Sequence, residues 1–246
     1  MRTIGLIGGM SWESTAVYYR ELNRLARERL GGLHSAEIAL WSFDFAEIET
    51  LQAAGDWDGA TARMVDAARR LERAGAGCLV ICTNTMHRMA EQVQAAIAIP
   101  LVHIADATAT AIRASGSRLP ALLGTRYTME QDFYKGRLRQ AHGIEVLIPD
   151  EPDRTTVHDI IYRELCLGVV EPASRRRYLA AIDALAARGA DGVILGCTEI
   201  GLLIGQADTA LPVFDTTTLH AEAALRTALE DAPVGDGPRP RLSRPG

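Results

Sequence analysis

Short apolar runs separated by longer stretches of helical spacing set the pattern of this chain. Residues 3–7 predict a strand closed by Gly8-Gly9, and residues 15–29 carry helical spacing that Gly31-Gly32 stops. Residues 37–43 alternate as a second strand. Residues 45–54 and 57–74 predict helices, the second with Val65, Ala68 and Leu71 on one face. After Gly75 comes a buried strand at 78–81, then a helix at 89–97, a strand at 100–104 and a helix at 106–114. Ser115-Gly116-Ser117 is the best boundary, because the pattern then restarts. A strand at 120–123 is followed by Gly124-Thr125, a helix through 141 and a strand at 144–148. Residues 149–154 read as a loop, with helices at 157–167 and 172–187 beyond it. Strands at 192–195 and 211–214 and a helix at 219–230 complete the pattern. From Ala232 the chain carries Pro233, Pro238, Pro240 and Pro245, the composition of a disordered tail.

Strands that alternate with helices imply parallel sheets covered on both faces. The expected fold is α/β, with two pseudo-symmetric domains, each a mainly parallel sheet flanked by helices, and an active site in the cleft between them. The expected division is 1–115 and 116–218, with the helix at 219–231 returning to the first domain and 232–246 as the disordered tail.

An internal repeat supports the two halves. Gly75-Ala76-Gly77-Cys78-Leu79-Val80-Ile81-Cys82-Thr83-Asn84-Thr85 lies without a gap over Gly189-Ala190-Asp191-Gly192-Val193-Ile194-Leu195-Gly196-Cys197-Thr198-Glu199. Both segments follow an amphipathic helix with Arg near its end. Both lead to a helix and then to a Pro-led strand ending in Asp, at Asp106 and Asp215. In this register Thr83, not Cys82, matches Cys197. Cys82 matches Gly196, and side-chain alternation points it away from Thr83. Matching strand ends of two halves can face each other across a cleft, which would set Thr83 and Cys197 on opposite sides of one ligand. Two groups flanking one carbon can remove a proton from one face and return one to the other. Of the two, the thiolate is far the stronger base, and nearby helix N-termini would lower its pKa.

Composition narrows the alternatives. A net charge of −5 leaves no basic footprint for nucleic acid, and Arg175-Arg176-Arg177 reads as a solvated helix start. No apolar run approaches the roughly 20 residues of a membrane span, and no signal-peptide pattern precedes the first strand, so a cytoplasmic location is expected. The four cysteines, Cys78, Cys82, Cys166 and Cys197, form no CxxC pair, which argues against a zinc site and disulfides. Cys78 and Cys166 read as packing residues. Neither GxGxxG nor a GK[ST] loop occurs.

Candidate binding groups cluster at the strand ends. Asn84, Thr85 and Thr198 offer amide and hydroxyl donors suited to a carboxylate, though each also suits a helix cap. Gly9 and Met10 would bring backbone N–H groups to the ligand, and Thr125 and Thr128 are their counterparts in the second half. Glu199 could hold an ammonium group. His87 could orient a cleft group or serve as a structural histidine.

These segments resemble the aspartate/glutamate racemase family, whose motifs have the forms C-N-T-x-H and G-C-T-E. Here they read Thr83-Asn84-Thr85-Met86-His87 and Gly196-Cys197-Thr198-Glu199, with Gly8-Gly9-Met10-Ser11-Trp12-Glu13-Ser14 and Leu123-Gly124-Thr125-Arg126-Tyr127-Thr128 adding to the likeness. Thr83 stands where the family's usual cysteine would be, as in a subgroup of L-aspartate/glutamate-specific racemases with a Thr/Cys pair. The resemblance implies two-base proton transfer at Cα with no cofactor and no metal, an acidic amino acid as substrate, Gln52 as a carboxylate contact, and a homodimer. The alternatives are another Cys-dependent activity of the superfamily (maleate isomerase, hydantoin racemase or malonate decarboxylase) or a non-catalytic binder of acidic amino acids. A nucleotide-binding sensor is a weaker one.

Overall fold

A computed structural model describes residues 1–230; the tail expected at 232–246 lies outside them, as does the last residue of the expected final helix. The first strand, β1 (Ile4–Gly8), is buried along its whole length and pairs in parallel with β2 (Ile38–Ser42) on one side and β3 (Cys78–Ile81) on the other. α1 (Trp12–Leu30), α2 (Phe45–Ala54) and α3 (Trp57–Arg73) connect these strands. Asp44 caps α2 through Ala46 N–H and Asp56 caps α3 through Gly59 N–H. Between β1 and α1, Gly9 sits at φ +81°, where a Cβ would lie 2.3 Å from Phe43 O. Only glycine fits that turn.

β3 gives way to a 3₁₀ turn (Thr85–Met89), α4 (Ala90–Ala95), β4 (Leu101–Val102) and α5 (Ile104–Ser115). The second half follows the same plan with β5 (Ala121–Gly124), α6 (Arg126–Glu130), α7 (Asp132–His142), α8 (Asp153–Arg163), α9 (Pro172–Ala187), β6 (Val193–Gly196), β7 (Val213–Asp215) and α10 (Thr216–Glu230). The sheets run β2-β1-β3-β4 and β5-β6-β7, parallel throughout. Strands covered on both faces are apolar without alternation, which explains the runs CLVI, ALLG and VILG.

The strand expected at 144–148 is reduced to a single parallel bridge, Ala121 to Leu147. Ile144 N–H is used to close α7 on Leu138 O, and Pro149 has no donor, so Leu147 alone reaches the ladder. That bridge nevertheless sits beside β5 as β2 sits beside β1, so the pseudo-symmetry of the two halves survives.

The last helix of each half packs on the other half's sheet. Ile104, Ala105, Ala109 and Ile112 of α5 join Leu122, Tyr134, Ile194 and Phe214. Ala221, Ala224, Leu225 and Ala228 of α10 join Ile4, Leu6, Tyr18 and Val80 of the first half. Among the described residues no helix is long and apolar enough to cross a membrane.

Three buried histidines lie at this crossing. His87 Nδ1 donates to Thr83 O at 2.8 Å and its Nε2 accepts from Ile104 N–H. His220 Nε2 donates to Val102 O while its Nδ1 accepts from Tyr18 OH. His103 caps α5 through Ala105 N–H. Burial pushes His220 down to about 4, and burial with nearby Arg137 pushes His103 down to about 3; His87 is driven down by burial and by the other two rings. The unfolded chain binds protons near pH 6.5 that the folded one refuses, so their stabilising contribution is present above that pH and is lost as pH falls toward 4. Each ring contributes a slope of up to about 1.4 kcal/mol per pH unit. Urea unfolding between pH 6.5 and 5, above the carboxylate range, is expected to show falling stability. His103→Asn, which keeps a capping acceptor, should flatten that slope by one proton; an unchanged slope would contradict the assignment.

Candidate active site

The ends of β3, β5 and β6 converge with the turn after β1 on one small cavity between the two halves. Met10, Gln52, Thr83, Asn84 and Thr85 line it from the first half, and Thr125, Cys197 and Glu199 from the second. All eight are buried. Thr128 and Thr198 stand behind the lining. Thr128 Oγ1 lies 3.2 Å from Thr125 Oγ1, which lies 3.1 Å from Thr85 Oγ1. Thr198 Oγ1 donates to Glu199 Oε2.

The strand-end alternation predicted for residues 82 and 83 is present. Cys82 lies in the core among Ile4, Leu6, Tyr18 and Val80, where burial pushes its thiol up, whereas Thr83 borders the cavity. Among the described residues Thr83 Oγ1 has no hydrogen-bond partner. Its backbone is fixed on both sides, with Thr83 N–H on Ile81 O and Thr83 O on His87 Nδ1. His87 is thus a structural group of this turn and does not line the cavity.

Asn84 presents the opposite chemistry from the donor role expected of it. Thr216 Oγ1 donates to Leu195 O at 2.7 Å, so it can only accept from Asn84, and this identifies the Asn84 atom 3.1 Å away as Nδ2. Asn84 Oδ1 is left as a buried acceptor without a partner among the described residues. Such an orphan costs about 1–3 kcal/mol unless a donor arrives.

Glu199, also buried, does not stand open for an ammonium group. Its Oε1 accepts from Ser11 N–H at 3.3 Å and Ser11 Oγ at 2.8 Å, and its Oε2 accepts from Cys197 Sγ and Thr198 Oγ1, both at 2.9 Å. The expected lowering of the Cys197 pKa is reversed. Burial pushes the thiol up, and the Glu199 charge beside it pushes the same way. The element after Cys197 is a three-residue 3₁₀ turn (Ile200–Leu202), too short to supply a dipole.

The sequence reading missed Phe45, Ile161 and Tyr162; Gly196, which belongs to the second motif, and Cys166, which packs against the core of the second half as expected, also line the cavity. Tyr162 OH donates to Gln52 Oε1 at 3.1 Å across the cleft, and Gln52 Nε2 points to Met86 Sδ at 3.6 Å, a weak acceptor. The first of these contacts joins residues 110 positions apart. Ser11 alone had a visible signal, its place beside Met10.

Two pseudo-symmetric parallel sheets whose matching strand ends share one buried cavity are the arrangement of the racemase fold. The chain belongs to the Asp/Glu/hydantoin racemase family, whose pattern residues 7–224 match. It is similar to a candidate Asp/Glu racemase of known structure from Yersinia pestis, at 55% identity over 94% of this chain and 100% of that one, with a TM-score of 0.87. It is also similar to an aspartate racemase homologue from Pyrococcus horikoshii OT3, at 35% identity over 93% and 99% of the two chains, with a TM-score of 0.81. The broad specificity amino-acid racemase RacX of Bacillus subtilis (strain 168) is 23% identical over 177 residues, 71% of this chain and 74% of RacX.

Proposed function

We propose that the chain racemises an acidic amino acid, L-aspartate or L-glutamate, at Cα without pyridoxal phosphate. The observation that carries this reading is that Cys197 and Thr83, at matching strand ends of the two halves, border one small buried cavity, with the Thr83 hydroxyl unpartnered among the described residues. Cys197, as thiolate, takes the Cα proton from one face. Thr83 gives its hydroxyl proton to the other face, and after the product leaves water carries a proton from the Cys197 side of the site back to Thr83. The carbanion between the two steps is stabilised where donors meet the substrate carboxylate; the Thr85–Thr125 hydroxyl pair and the Met10 N–H suit that task. Asn84 Oδ1 suits the α-ammonium group.

The family and the acidic substrates named for similar chains favour an acidic substrate. Among the described residues that line the cavity there is no Arg, Lys or His, so a side-chain carboxylate would be met by neutral donors, with Gln52 Nε2 first among them. Burial strengthens each such bond relative to water.

Incubation with L-Asp or L-Glu in D₂O tests the reaction directly, with L-Asn and L-Gln as uncharged comparators. Deuterium is expected at Cα of the acids together with the D-enantiomer. A Cα that keeps its proton throughout would reject racemisation.

A further inference from the structure

We infer that Glu199 is the base that ionises Cys197, and that Ser11, reaching over from the other half, is the residue that positions it. This rests on the racemase reading above. Cys197 Sγ already donates to Glu199 Oε2 at 2.9 Å. The two carboxylate oxygens are divided between the halves: among the described residues Oε1 is held only by Ser11, through its N–H and Oγ, and Oε2 only by Cys197 and Thr198. Four donors on one carboxylate fix its plane, and with it the line of proton transfer. Ser11 is the N-cap residue of the 19-residue α1, so Glu199 also sits at the positive end of a long helix.

Electrostatics leave Glu199 as the acceptor. Cys197, Cys166 beyond α8, Tyr18 of α1 and Tyr178 of α9 all feel its charge, and burial holds each of them neutral. None of them is a base that could relieve the thiol. In the resting site the proton stays on sulfur. During turnover the S–H bond breaks, its proton forms an O–H bond on Glu199 Oε2, and the electron pair stays on sulfur. The thiolate then takes the Cα proton, becoming a thiol again, and Thr83 protonates the opposite face and is left as an alkoxide. On product release, water returns the proton held by Glu199 to Thr83, which closes the cycle.

Steady-state rates of wild type, Glu199→Gln, Ser11→Ala and Ser11→Thr, read as kcat/KM against pH, test the assignment, with thermal melting as the check on folding. Glu199→Gln is expected to lose about 10²–10⁴-fold, the range for removing a positioned acid–base group. A carboxylate that loses a hydroxyl donor holds its proton more tightly, so Ser11→Ala should move the acid-side fall in activity to higher pH by about one unit. Ser11→Thr keeps the hydroxyl and should restore the wild-type profile, a rescue that mere loosening of the cleft would not produce. Glu199→Gln within threefold of wild type, or an acid limb common to wild type and Ser11→Ala, would overturn the assignment. Should Ser11→Ala not fold, the Glu199→Gln rate decides alone. If wild type itself exchanges no Cα proton in D₂O, it is the racemase reading that has failed, not the role of Glu199.

Discussion

Cys197→Ser is expected to lower kcat/KM on L-aspartate or L-glutamate by about 10³–10⁴-fold, or about 4–5.5 kcal/mol of transition-state stabilisation. Serine replaces sulfur with oxygen at nearly the same volume, so the cavity and the contact with Glu199 are retained. What changes is the ease of forming the anion, because an alcohol gives up its proton far less readily than a thiol. The thiol is already handicapped by burial and by the charge of Glu199. An alcohol there would add its own deficit to the same penalty. A chiral assay of D- and L-product measures the loss, and activity within tenfold of wild type would remove Cys197 from the mechanism.

The second large effect is a gain. Thr83→Cys is expected to raise turnover of the D-enantiomer by about tenfold or more, by giving the face opposite Cys197 a group that can accept a proton as well as donate one. In the wild type a hydroxyl there protonates a carbanion readily but must become an alkoxide to act as a base. The substitution makes the two strand ends chemically alike, as the register of Cys78–Thr85 over Gly192–Glu199 suggests. The two enantiomers have equal free energies, so kcat/KM must rise by the same factor in both directions. A gain in only one direction would mean that the product is not the mirror image of the substrate. No gain in the D-direction would reject Thr83 as the limiting partner.

Much of this arrangement was legible before any coordinates. β1, β3, β5 and β6 stood out because strands buried on both faces need unbroken apolar runs, and the repeat placed Thr83 opposite Cys197 because a one-residue shift reverses every side chain. Thr85, Thr125 and Gln52 reach the cavity as expected. What the sequence hid has identifiable causes. The sign of the Cys197 shift depended on the length of the following turn and on which way Glu199 faced, and neither has a local signature. The orientation of Asn84 was decided by Thr216, through a hydroxyl already committed to Leu195 O. Tyr162 came to the cavity by a contact with Gln52 that no periodicity encodes. The segment at 144–148 has a strand's composition, but its end residues were needed elsewhere.

The exchange of α5 and α10 between the sheets bears on how such a chain is made and where it came from. While the protein is being synthesised, one face of the amino-terminal sheet is covered by α1 alone until nearly the last described residue has emerged, so the first half completes its core only with the second and the chain gains its native stability as one cooperative event. The same geometry suits an ancestor of half the length. A single repeat could complete the cover of its sheet by lending its final helix to a second copy, a swapped pair whose later fusion into one polypeptide would free the two strand ends to diverge.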